Sequence, residues 1–179
     1  MYSIKWTVKA LASAAAVAML AGVASAQVLS PGTDSFEQVG EAGPWIIYAD
    51  VQRQSCLAEG QDSNGNVVQM GLTADHSLGY VGVFTPVDLG ITAGEQDITI
   101  TVNGNAYSGK AMMREHGLSE GYQGGYFVAN NPDFVADMEA GQTMLAFSDT
   151  NGEGVAIDLT GSHAAIEAAR ACTAQLAAN

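Results

Sequence analysis

Basic residues are scarce in this chain. Six lysines and arginines stand against 19 aspartates and glutamates, a formal net charge of −13. A surface this acidic repels polyphosphate, which excludes nucleic-acid binding, and it disfavours anionic lipid surfaces that no divalent cation bridges. It is compatible with a basic partner, with a cation, or simply with solubility. Cysteine is equally scarce. Cys56 and Cys172 are the only two, and no C-x-x-C or H-E-x-x-H spacing supplies a zinc site. The three histidines, His76, His116 and His163, form no i, i+4 pair, so surface or capping roles are expected and no metal ligand is assigned. No fingerprint of a cofactor site occurs. Beyond residue 26 there is no long apolar run, which excludes a membrane-spanning helix from the rest of the sequence.

What is present begins with a leader. Lys5 and Lys9 precede the 14-residue apolar run ALASAAAVAMLAGV, which ends on Ala24-Ser25-Ala26, a small-x-small site. The run suits a secretory signal peptide and falls short of the roughly 20 residues that span a bilayer. Cleavage between Ala26 and Gln27 is therefore expected, giving a periplasmic or secreted protein of residues 27–179. Four cations then face all 19 acidic residues, a net −15. A chain of this length fits one domain able to build its own core.

Residues 27–44 read as a flexible polar arm and 45–179 as a single β-rich domain. WIIYADV, QSCLAEG, VVQMGLT, LGYVGVFT, DITITVNG and AYSGKAMMRE have strand composition, and DSNGN between the second and third marks a hairpin. Ile98, Ile100 and Val102 alternate strictly, which predicts one buried face. GGYFVA and TMLAFSD bracket NPDFVADMEAG, where Asn131 can cap, Pro132 fits the first helical position and Gly141 can end a short helix. After a last strand, GVAIDLT, Ser162 is the expected cap of a terminal helix, with Ala165, Ala169, Cys172 and Leu176 on one face. The fold class expected is mainly β (α+β). It is an antiparallel sandwich or open barrel with a short internal helix and a C-terminal helix packed on the sheet.

Trp45, Cys56, the final alternating strand, Gly161-Ser162, a small-residue helix and Cys172 together resemble the small secreted alphaproteobacterial proteins related to invasion-associated locus B. The resemblance implies a β-rich, envelope-associated protein without enzyme activity. It transfers no functional residue.

Two motifs carry a catalytic or metal reading. GLSEG, residues 117–121, matches the G-x-S-x-G elbow with Ser119 as nucleophile, and Asp149 or Asp158 followed by His163 completes the chain order of a hydrolase triad. The elbow, however, needs a helix after the serine, and YQGGYFVA reads as glycine-broken strand. A glycine-flanked loop is the expectation. DTNGEG, residues 149–154, matches half a calcium loop through Asp149, Asn151, Glu153 and Gly154, but Thr160 stands where the closing glutamate belongs. A hairpin turn explains it as well. Tyr122, Tyr126 and Phe127 could line a groove, although alternation in a strand favours packing. No catalytic, cofactor or metal residue is therefore assigned.

The reading is an exported, non-enzymatic envelope protein that acts as a binding module for an unidentified envelope or extracellular partner. The alternatives are a small periplasmic hydrolase using Ser119 or a carboxylate pair, and a weak cation-binding envelope protein. Export also bears on the cysteines. In an oxidising compartment a disulfide between Cys56 and Cys172 is expected, stapling the last helix to an early strand, with two buried free thiols as the alternative.

Overall fold

The computed structural model describes residues 36–178 except 74, 115–117, 149–151 and 153. The expected leader and its Ala26/Gln27 cleavage site lie outside the described residues. The chain opens with five strands in succession: β1 (Phe36–Ala42), β2 (Trp45–Asp50), β3 (Ser55–Gln61), β4 (Val67–Leu72) and β5 (Gly79–Thr85). Next come β6 (Gly94–Val102), β7 (Asn105–Arg114) and β8 (Gln123–Ala129), then helix α1 (Pro132–Glu139). Strands β9 (Thr143–Ala146) and β10 (Val155–Asp158) precede the terminal helix α2 (Ser162–Ala177).

All ten strands join one open antiparallel sheet in the order β1-β2-β3-β4-β5-β8-β7-β6-β9-β10. The fold is thus mainly β (α+β), as the strand pattern implies, and the sandwich-or-barrel alternative resolves into a single sheet. That sheet curls strongly. Trp45 and Ile47 of β2 share one core with Val155 and Ile157 of β10, although the two strands lie near opposite ends of the order. Across the opening, the Trp45 indole N–H donates to the Thr160 carbonyl at 2.9 Å.

Local chemistry explains the elements. Ile98, Ile100 and Val102 are all buried, as their period of two requires. The β6–β7 hairpin turns on Asn103 and Gly104, both at positive φ, the Asn-Gly pair that such a two-residue turn selects. In the β3–β4 turn, Asp62 Oδ1 accepts from the backbone N–H of Asn64 and of Asn66, at 2.8 and 2.9 Å. Asn131 caps α1 by accepting from the Asp133 N–H at 2.9 Å, with Pro132 at the first position.

Two expectations need correction. Residues 36–42 of the supposed arm form β1, paired along β2 from Phe36↔Asp50 to Ala42↔Trp45. Their polar composition belongs to an edge strand, one face of which stays solvated, and Gly43 at φ 62° closes the hairpin. Ser162 is not the cap of α2. It is the first helical residue, buried, and its hydroxyl donates to the Met138 carbonyl at 2.6 Å, while Gly161 at φ 84° is the capping residue. The carbonyl group near the end of α1 competes for the hydroxyl, so Ser162 ties the two helices together instead.

Candidate functional site

Helix α2 lies across β2 and β3, and α1 packs against its first half. Its buried face is alanine, Ala165 and Ala169, which lets the helix approach the sheet closely. Cys172 and Leu176 continue that face and pack on the core. The approach brings the Cys56 and Cys172 sulfurs to disulfide distance, with 5.9 Å between their Cα atoms. Beside them, the Cys56 N–H donates to the Thr173 hydroxyl at 2.9 Å, and that hydroxyl donates to the Ala169 carbonyl. The end of α2 is therefore held to β3 at two adjacent residues.

Between the two helices and the sheet a half-open groove remains. Its floor is Cys56 with the ends of β4 and β5, residues 70–72 and 79–81. Phe134, Val135 and Met138 of α1 form one wall, and Ile166, Ala169, Arg170 and Thr173 of α2 form the other. The cavity holds about 190 Å³ and its lining is mainly apolar. Alanines on α2 let the helix sit close, whereas α1 stands on the bulky Phe134 and Met138, and the mismatch leaves the gap.

The rim is polar. Arg170 Nη1 donates to Glu139 at 2.7 Å and to Glu167 at 2.8 Å. The Glu167 carboxylate, with Glu139 beside it, raises the Arg170 pKa further, so the guanidinium stays charged. At the β4–β5 turn, Asp75 accepts from the Thr73 hydroxyl at 2.6 Å and from the Ser77 N–H at 3.1 Å. These bonds, the Thr73 hydroxyl first, hold its pKa down to about 2.

The α1 wall is fixed from behind by Asp137. Its carboxylate accepts from Asn105 Nδ2 at 2.8 Å and from the Tyr107 hydroxyl, whose ring meets Phe134 edge-on. The bond to Asp137 raises the Tyr107 pKa to about 12, and the reciprocal bond from Tyr107 lowers that of Asp137. The phenol's contribution to stability is thus complete below its ordinary pKa of 10.0 and lost as pH rises toward about 12. That of Asp137 is present at neutral pH and lost as pH falls through its depressed value. In an alkaline titration followed by tyrosinate absorbance, Tyr107→Phe should remove an increment near pH 12. Loss of an increment near pH 10 would contradict the bond to Asp137.

The residues singled out in the sequence fall elsewhere. Ser119 sits in a turn, its carbonyl accepting from the Tyr122 N–H at 3.1 Å, and strand β8 follows where an elbow needs a helix. Asp158 lies on β10, with Oδ1 bonded by the Thr160 N–H and hydroxyl, and His163 is an exposed residue of the first turn of α2. Asp149, Asn151, Glu153 and His116 are outside the described residues. Gly154 is at φ 71°, and Thr160 is an exposed residue after β10. A ring nitrogen of His76 donates to the Arg53 carbonyl at 2.8 Å. Tyr126 packs between Tyr80 and Phe84, Phe127 against Phe134, and Tyr122 donates to the Gly65 carbonyl, so all three serve packing and none lines the groove. Among the described residues no group of three or more His, Cys, Asp or Glu side chains is arranged to hold a metal ion.

The groove itself left only faint traces in the sequence. Phe134 and Met138 have helical i, i+4 spacing, and Ile166 stands out among alanines, but nothing local places them opposite the ends of β4 and β5. No protein-family model, curated protein or solved structure matches this chain.

Proposed function

We propose that this chain is an exported, non-enzymatic protein of the cell envelope that works as a binding module, with the groove between α1, α2 and the sheet as its site. The observation that carries the reading is the groove itself, a concave, mainly apolar site whose walls are anchored by Ser162, Asp137 and the cysteine pair. Anchored walls favour a binding role because little ordering remains to be done when a ligand arrives. The basic-then-apolar leader and the cysteines at disulfide distance support export. Among the described residues no helix is long and apolar enough to cross a membrane. The resemblance to proteins related to invasion-associated locus B points the same way.

Two measurements test this. Intact mass of the exported protein should correspond to a chain beginning at Gln27, and a mature species retaining Trp6 would overturn the export reading. For the groove, methyl NMR during titration with toluene should give saturable shifts centred on Met70, Val81, Met138 and Ile166. Val135→Trp, which fills the groove from its α1 wall, should remove them. Shifts scattered over the surface, or none at the solubility limit of toluene in a folded protein, would overturn the binding site.

A further inference from the structure

The groove is small. Its volume of about 190 Å³ is near the roughly 150 Å³ of an engineered apolar cavity that accepts benzene. It therefore suits one large apolar side chain, not a whole drug-sized molecule. What surrounds it is acidic. Among the described lining residues Arg170 is the one cation, and its Nη1 already serves both Glu139 and Glu167, leaving that rim with a net negative charge. The turn that joins the lining residues Leu72 and Gly79 carries the exposed Asp75, and in it the Thr73 N–H bonds the Leu78 carbonyl. The nearby Arg53 is paired with Asp50 at 3.5 Å and adds no free cation. Beyond the rim, the net charge of the chain is −13.

From this arrangement we infer that the groove receives a basic peptide segment of a partner protein, seating one aromatic or large aliphatic side chain between α1 and α2 while flanking lysines or arginines meet Glu139, Glu167 and Asp75. The inference rests on the groove being a binding site and adds the chemistry of its occupant. An acidic segment would meet three carboxylates and a guanidinium whose Nη1 is already committed. A basic one can pair with these carboxylates and is steered by the field of the whole chain. Exposed ion pairs are each worth only a few-fold in affinity, so the apolar anchor supplies most of the binding and the charges supply the selection.

The test uses three capped tripeptides, each with a central phenylalanine flanked by two lysines, two glutamines or two glutamates, titrated by methyl NMR at low ionic strength. The lysine peptide should bind tightest and the glutamate peptide weakest, with roughly a five- to tenfold span between them. Raising the salt to 0.5 M should compress that span to about twofold. Glu139→Gln together with Glu167→Gln, which removes both partners of Arg170, should abolish the preference for the lysine peptide over the glutamate peptide. Equal binding of all three, or preference for glutamate, would overturn the basic partner and leave the groove as a neutral apolar site. If the tripeptides fail while toluene still binds, the peptide class is wrong. If toluene fails as well, it is the binding site that falls.

Discussion

Cys172→Ser is expected to lower the melting temperature by on the order of 10 °C. Cys56 and Cys172 are 116 residues apart in sequence, so a bond between them closes almost the whole folded chain into one loop. In the chain-entropy description a loop of that length restricts the unfolded state by about 4–5 kcal/mol, an upper figure that residual structure reduces. For a domain of this size each kcal/mol moves the midpoint by roughly 2–4 °C. The double variant Cys56→Ala/Cys172→Ser should melt close to the single one, because both changes remove the same cross-link and their effects do not add. The groove predicts a second consequence. Arg170 and Thr173 lie within one turn of Cys172, so releasing that end of α2 should weaken ligand binding less than it weakens folding, since Ser162 still holds the other end. An unchanged melting temperature, or two alkylatable thiols in the native exported protein, would contradict the cross-link.

Gly124→Ala should be nearly as damaging, for a reason with no chemistry in it. Gly124 pairs with Phe84 across β5 and β8, at φ 153°, and an added Cβ would sit 2.0 Å from the Val83 carbonyl oxygen. Neither backbone can withdraw without breaking the central pairing of the sheet. Strain and overpacking together put the cost at about 3 kcal/mol or more. Gly121→Ala is the control. Its φ is 84°, but nothing lies within 4 Å of the added atom, so only the conformational penalty of about 1 kcal/mol applies. Denaturant melts that place the two variants together would show that the close approach of β8 to β5 is not as described.

These two residues also mark how far the sequence could be read. Cys172 was legible because its meaning is local and compositional: a leader implies an oxidising compartment, two cysteines can pair once, and helical spacing puts Cys172 on the face of Ala165 and Ala169. Strand periodicity likewise exposed Ile98, Ile100 and Val102, and Asn131-Pro132 announced α1. Gly124 carried no such mark, because its necessity comes from β8 running beside β5, a pairing between strands separated by the whole β6–β7 excursion. The edge strand β1 was missed for a related reason. FEQVGEA is polar because an edge strand needs only one covered face, so it reads like an arm. In the sequence Ser162 reads as a cap because serine before a helix usually is one, and only the end of α1 arriving next to it redirects the hydroxyl. The groove depends on all of these at once. It exists where α1, α2 and the ends of β4 and β5 meet, and no window of sequence contains that meeting.

The most direct test of the groove as the working site is a set of intermolecular nuclear Overhauser effects, measured between the phenyl ring of the lysine-flanked tripeptide and the methyl groups of the protein. Cross-peaks to Met70, Val81, Met138 and Ile166, from both helices and the sheet together, are expected, as is their loss in Val135→Trp. Cross-peaks confined to exposed residues outside the groove, such as Val87 or Met112, would contradict the groove as that site.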